Sequence, residues 1–174
     1  MAPDGRAGAG PALIRDATPA DVPLLLALIR ELATYEKLLD RVQASEGLLR
    51  RALFGSPPAA EALIAEQDGE AVGYAIFFPT FSTFLAIQGI WLEDIYVRPE
   101  ARGAGTGRAL LATVAAKLTE RGGQRLEWSA LDWNELALGF YRGLGAEQMG
   151  EWVTHRLTGE ALRCLAGEAP APPR

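Results

Sequence analysis

The sequence predicts a mixed α/β fold in which strand and helix alternate through the second half. Three observations carry this expectation: helical apolar spacing behind two polar caps, an apolar hairpin about Asp68 and Gly69, and glycines at 103, 105 and 107 between a strand and a helix.

A short apolar strand at Leu13 and Ile14 leads into Thr18, Pro19 and Asp21. A hydroxyl cap, a proline in the first turn and an early acid announce a helix. Its apolar face is Leu24, Leu25, Leu28, Ile29 and Leu32. Ser45 caps a second, shorter helix carrying Leu48, Leu49, Ala52 and Leu53, which stops at Gly55. Ala62–Glu66 and Ala71–Phe78 form the two arms of the hairpin, and Gln88–Val97 is a third strand ended by Pro99. Beyond the glycines the pattern predicts a helix to Arg121, a strand at Arg125–Ser129, a helix at Asn134–Leu144, a strand pair within Glu147–Leu157 and a short helix at Gly159–Leu165.

Residues 1–11 and 167–174 are rich in Gly, Ala and Pro and read as loose tails around a domain at 12–166. A chain of 174 residues, 49% hydrophobic and 22% charged, suffices for one sizeable core. The net charge of -5 argues against a phosphate backbone as ligand and suits a cationic one, although mild acidity also serves solubility alone. No apolar run reaches the roughly 20 residues of a spanning helix, so no membrane partner is expected and the chain is placed in the cytoplasm. The lone cysteine, Cys164, excludes an intramolecular disulfide and any multi-cysteine zinc site, and no metal is expected.

Arg102, Gly103, Ala104, Gly105, Thr106, Gly107 and Arg108 stand where backbone N–H groups and a helix dipole attract an anion. A diphosphate suits that geometry, and a plain flexible turn is the competing reading. A Rossmann site wants an acid about 20 residues further on and an earlier place in a βαβ unit. A Walker loop wants Lys and Ser or Thr after its last glycine, where this chain has Arg108 and Ala109. What is left is a diphosphate held by backbone without a metal.

Arg102, Gly105 and Gly107 match the signature of the GCN5-related N-acetyltransferase (GNAT) family: a basic or amide residue, two positions, Gly, one position, Gly or Ala. The chain also resembles that family's diamine acetyltransferase subgroup at Trp91–Glu100, at Leu131, Asp132, Trp133 and Asn134, at Phe140, Tyr141, Leu144, Gly145 and Ala146, and at Glu31–Leu38. The resemblance implies the GNAT fold, a central mixed, mostly antiparallel sheet splayed at a bulge and flanked by helices on both faces. It implies acetyl-coenzyme A as cosubstrate, with its pyrophosphate on Gly103–Arg108 and its pantetheine arm along Ile95, Tyr96 and Val97, touched by Asn134 from the other side. Ser82 stands where the polyamine enzymes place an acid, which sets this chain nearer the thialysine branch. Members are commonly homodimers, and Trp152 with the late strand pair is a candidate interface.

A primary amine near pKa 10.4 is about one part in a thousand neutral at pH 7.4, so the site needs a proton acceptor. Glu93 is the candidate, directly or through water. Read from the residues alone, a strand acid paired with a neighbouring Arg is the favoured reading, and the resemblance reverses it. Tyr141 is the candidate acid for the leaving thiolate, against a plain aromatic core role beside Phe140. Tyr35 and Glu36 match the subgroup's substrate-side pair, and Phe81 and Phe84 are candidate walls for an aliphatic chain. Cys164 and His155 are discounted as nucleophile and base. Two other functions remain open at this stage: acetylation of a protein or antibiotic amine, and a non-catalytic coenzyme A sensor.

Overall fold

The structure, a computed structural model, describes residues 10–169. Most of the two expected tails, 1–9 and 170–174, lies outside the described residues. The chain forms two compact units, Met1–Ser129 and Ala130–Arg174.

In the first unit five strands lie in sequence order: β1 (Leu13–Asp16), β2 (Glu61–Gln67), β3 (Glu70–Ser82), β4 (Ile87–Val97) and β5 (Arg125–Trp128). Pairing is antiparallel from β1 to β4 and parallel between β4 and β5. The hairpin turn is at Asp68 and Gly69, both at positive φ, as expected of a tight connection. Three helices accompany the sheet: α1 (Val22–Tyr35), α2 (Glu46–Phe54) and α3 (Thr106–Glu120), the last filling the crossover from β4 to β5.

Alternation along β2 divides the core. Ala62 and Ile64 join Leu25 and Leu28 of α1, Leu53 of α2, and Tyr74, Ile76 and Tyr96 in one cluster. Leu63 and Ala65 point to the other face, where α3, with Leu110, Leu111, Val114 and Leu118 buried, packs across the sheet. Helices therefore cover both faces, and the expected mixed, mostly antiparallel α/β sheet is what forms.

The expected cap at Ser45 is present, with its Oγ accepting from the Leu48 N–H at 3.3 Å. At Thr18 the cap is reciprocal. Thr18 N–H and Oγ1–H both donate to Asp21 Oδ2, at 2.7 and 2.9 Å. Arg15 closes the same carboxylate in a two-pronged grip, each bond 2.8 Å, and its Nε donates to Glu66 Oε1 across the β1–β2 ladder. One arginine thus ties β1, β2 and the start of α1. Its grip holds the Asp21 carboxyl far below the usual aspartate range.

The second unit carries α4 (Glu135–Arg142) and α5 (Gly159–Gly167). The strand pair expected within Glu147–Leu157 is not formed. Among the described residues no ladder partner pairs with that segment, and Met149, Trp152 and Val153 are exposed. Apolar alternation specifies a strand only when a partner edge satisfies its backbone, and none does here. No helix among the described residues is long and apolar enough to cross a membrane.

Asp21→Asn puts an amide against the four donors from Arg15 and Thr18, and should lower stability by about 1–3 kcal/mol, moderated by the partial exposure of Arg15. A carboxyl whose folded pKa is depressed contributes stability above its ordinary value and loses it as pH falls. Urea melts of the wild type should therefore weaken below about pH 4, and the gap to the variant should narrow there. A gap that stays constant with pH would show that the ion pair is not its source.

Candidate active site

The register of β3 against β4 breaks once. Ile76 pairs with Asp94 and Phe77 with Leu92, so Glu93 is an extra residue with no opposite number. Paired residues in an antiparallel ladder share a face. Leu92 therefore points with Phe77 to the α3 face, whereas Asp94 and Tyr96 point with Ile76 and Tyr74 to the α1 face. One bulge reverses which residues of β4 face which layer.

The same place ends the other ladder. β5 pairs with β4 only from Gly89 to Leu92, so Glu93–Val97 is ladder-bonded on its β3 side alone. This is the expected splaying, and it leaves the other side of Ile95–Val97 without a ladder partner, where Arg102 takes the Val97 carbonyl. The strand runs into a turn at Pro99–Ala101 and then the glycine segment. Gly103 and Gly105 have φ of +83° and +86°, and nothing lies within 4 Å of where their Cβ atoms would stand. Gly105 is the cap residue of α3, so Thr106, Gly107 and Arg108 present the helix's first N–H groups. Thr106 is buried with its hydroxyl on the Ala101 carbonyl, which pins the turn, while Gly103, Ala104 and Arg108 are exposed.

Arg102 does not reach outward from this loop. Its Nε donates to the Val97 carbonyl at 2.8 Å, and its guanidinium lies 5.0 Å from the Tyr35 ring centroid and 5.8 Å from that of Tyr96. The arginine fastens the loop to the end of α1. Nearby, Arg98 clamps Glu31 of α1 at 2.8 Å and the Ala71 carbonyl at 3.0 Å, and holds the Glu31 carboxyl below its ordinary range.

Glu93 is exposed and accepts from Trp91 Nε1 at 2.9 Å, so an indole, not an arginine, is its partner. Its neighbour is the shielded acid. Asp94 is half-buried and accepts from the fully buried Tyr74 hydroxyl at 3.0 Å. Burial, and secondarily the Glu93 charge, push the Asp94 carboxyl up, while the tyrosine bond pulls it back. Glu36, at the end of α1, is raised by burial and then by Asp94. The bulge thus gathers Glu93, Asp94 and Glu36 into one acidic region.

Tyr74 was not singled out from the sequence, and Asp94 was set aside for Glu93 because adjacent strand residues point to opposite faces; the residue turned inward is Asp94, and Glu93 is exposed. A signal for Tyr74 was there, since a tyrosine inside an apolar strand needs a partner for its hydroxyl. Phe81 and Phe84 are 63% and 94% exposed and wall nothing within their unit. In the second unit, Asn134 caps α4 by accepting from the Ala137 N–H at 3.2 Å, and Tyr141, half-buried on α4, has its ring 5.3 Å from that of Phe140. Cys164 and His155 are exposed.

Residues 27–146 match the model of the Acetyltransferase (GNAT) family. The chain is 42% identical to the thialysine N-epsilon-acetyltransferase of Bos taurus, over 90% of this chain and 98% of the relative. It is 32% identical to the L-ornithine N5-acetyltransferase of Arabidopsis thaliana, over 87% of this chain and 86% of the relative. A solved integron cassette protein from the mobile metagenome of V. cholerae superposes with a TM-score of 0.74 at 25% identity, over 90% of this chain and 98% of that one. The one-sided strand, the glycine turn and these likenesses agree: the chain belongs to the GNAT acetyltransferase family and is an N-acetyltransferase, an enzyme that moves an acetyl group onto an amine.

Proposed function

We propose that this enzyme takes the acetyl group from acetyl-coenzyme A and passes it directly to a primary amine of a small cationic acceptor: a diamine, a polyamine or a lysine analogue such as thialysine. The observation that carries the proposal is the one-sided strand Glu93–Val97 running into the glycine turn at the start of α3.

That arrangement fits the cosubstrate. The open edge at Ile95, Tyr96 and Val97 suits the amide groups of a pantetheine arm, and Gly103–Arg108 offers N–H groups and open space to a diphosphate. When bound, acetyl-coenzyme A supplies a thioester-activated acetyl group. Arg102 serves by holding the turn in shape from behind, and Asn134 by fixing the start of α4.

The acceptor side rests on charge. Glu36 and Asp94 crowd two acidic groups at the end of α1, which favours an ammonium between them, and Tyr35, held under Arg102, borders that region. Glu93, exposed on the bulge with one oxygen bonded to Trp91, is the proton acceptor for the amine, through water. Tyr141 is the acid that protonates the departing thiolate. The likeness to thialysine and ornithine acetyltransferases supports a small acceptor with a second charged group. The enzyme works from a single domain at 12–166, in the cytoplasm, as a homodimer to which the exposed Trp152 contributes.

Thiol release from acetyl-coenzyme A should be fastest with a member of a panel holding thialysine, lysine, ornithine, diaminopropane, putrescine, spermidine, spermine and a lysine peptide. Turnover of the peptide alone would overturn the acceptor assignment. Tyr141→Phe should lower kcat about ten- to a thousandfold and leave cosubstrate binding by calorimetry intact. For Glu93→Gln the acidic limb of the pH–rate profile should move, and an unmoved limb would remove Glu93 as base.

A further inference from the structure

Tyr74 is completely buried in a strand whose neighbours are apolar, and Phe in its place would fill the same core volume. What distinguishes it from Phe is a single oxygen. That oxygen donates to Asp94 Oδ2 at 3.0 Å, from one strand to the next. The geometry follows from the register: Tyr74 pairs with Tyr96, Ile76 pairs with Asp94, and the diagonal between them lies on the α1 face. The Tyr74 and Tyr96 rings tilt against each other with centroids 6.4 Å apart, and Leu25 and Leu28 of α1 lie in the same packed cluster. The hydroxyl has no freedom to point elsewhere, so it orients the carboxylate and occupies one of its oxygens.

We propose that Tyr74 is a positioning residue for the acceptor: by fixing one oxygen of Asp94 it turns the other, together with Glu36, toward an ammonium group of the amine substrate. This rests on the acceptor class argued above. Tyr74 itself touches neither substrate, and its effect passes through Asp94.

The ionisable groups acting on Asp94 are Tyr74 from β3 and Glu93 beside it on β4; Asp94 in turn raises Glu36 at the end of α1, and Glu36 and Tyr96 act on Tyr74. Burial and then Glu93 favour a neutral Asp94, and the Tyr74 hydroxyl is the group that favours its charge. Loss of the hydroxyl therefore raises the Asp94 pKa, and a higher pH is needed to keep the carboxylate charged.

The test is steady-state kinetics of Tyr74→Phe with the best small amine of the panel. KM for the amine should rise about five- to fiftyfold, as for loss of one charge-assisted hydrogen bond. KM for acetyl-coenzyme A should stay within about twofold, and the acidic limb of kcat/KM for the amine should move to higher pH. Asp94→Asn should reproduce the rise in amine KM, and adding Tyr74→Phe to it should change nothing further, as expected of two residues acting in series. An unchanged amine KM with an unmoved limb, equal losses for both substrates, or additive effects in the double variant would each overturn the proposal. If Tyr74→Phe does not fold, wild-type amine KM in Asp94→Asn overturns it by itself. Failure of the wild type to acetylate any small cationic amine is a different result, which removes the acceptor class and the proposal with it.

Discussion

Most of this site depends on one extra residue in one strand. Without the bulge at Glu93, alternation along β4 would carry Asp94 and Tyr96 to the same face as Ile90 and Leu92, against α3. Asp94 would then lie on the α3 side, away from the Tyr74 hydroxyl and against buried Leu110, Leu111 and Val114, a costly setting for a carboxylate. With the bulge, the first half of β4 supplies the α3 core and the second half supplies polar groups to the α1 side. The place where facing reverses is also where β5 stops pairing. An open backbone edge and an inward-turned acid are thus two results of the same irregularity.

Two arginines make the arrangement rigid without facing solvent as point charges. Arg98 joins β4 to α1 through Glu31, and Arg102 joins the glycine turn to α1 through Tyr35. Both act from behind the surface that the N–H groups of α3 present. The residue of the family signature expected at the phosphates is therefore, in this chain, a strut: its Nε is on Val97 O and its plane lies beside two rings. On the reading proposed above, the backbone of the turn would meet the diphosphate, and Gly103 and Gly105 stand there at φ values that side chains tolerate poorly.

Features that rest on local chemistry were legible in the sequence. Thr18 with Asp21, Ser45, the Asp68–Gly69 turn and the strand–glycine–helix unit each state their geometry within a few residues, and each appears where expected. Features that rest on register were not. Nothing between Trp91 and Val97 marks Glu93 as the residue without a partner, because a bulge is defined by the opposite strand. The Tyr74–Asp94 bond spans that register and was invisible for the same reason. The strand pair expected at Glu147–Leu157 failed in the opposite direction, since apolar alternation was present and a pairing edge was not.

The acidic region also has a thermodynamic direction. The Arg15–Asp21 pair depresses its carboxyl and strengthens the fold as that group ionises, whereas Asp94 and Glu36 are raised and oppose it. A group with a raised acid pKa costs stability above that pKa and is relieved as pH falls through it. Where these two groups are ionised, they carry a cost that protonation would remove. An ammonium placed between them removes the same cost without protons, so acceptor binding and carboxylate ionisation favour each other. A neutral acceptor of the same shape would leave the repulsion in place. On the reading proposed above, the burial of these two acids would therefore favour a cationic acceptor before any contact to the substrate is counted.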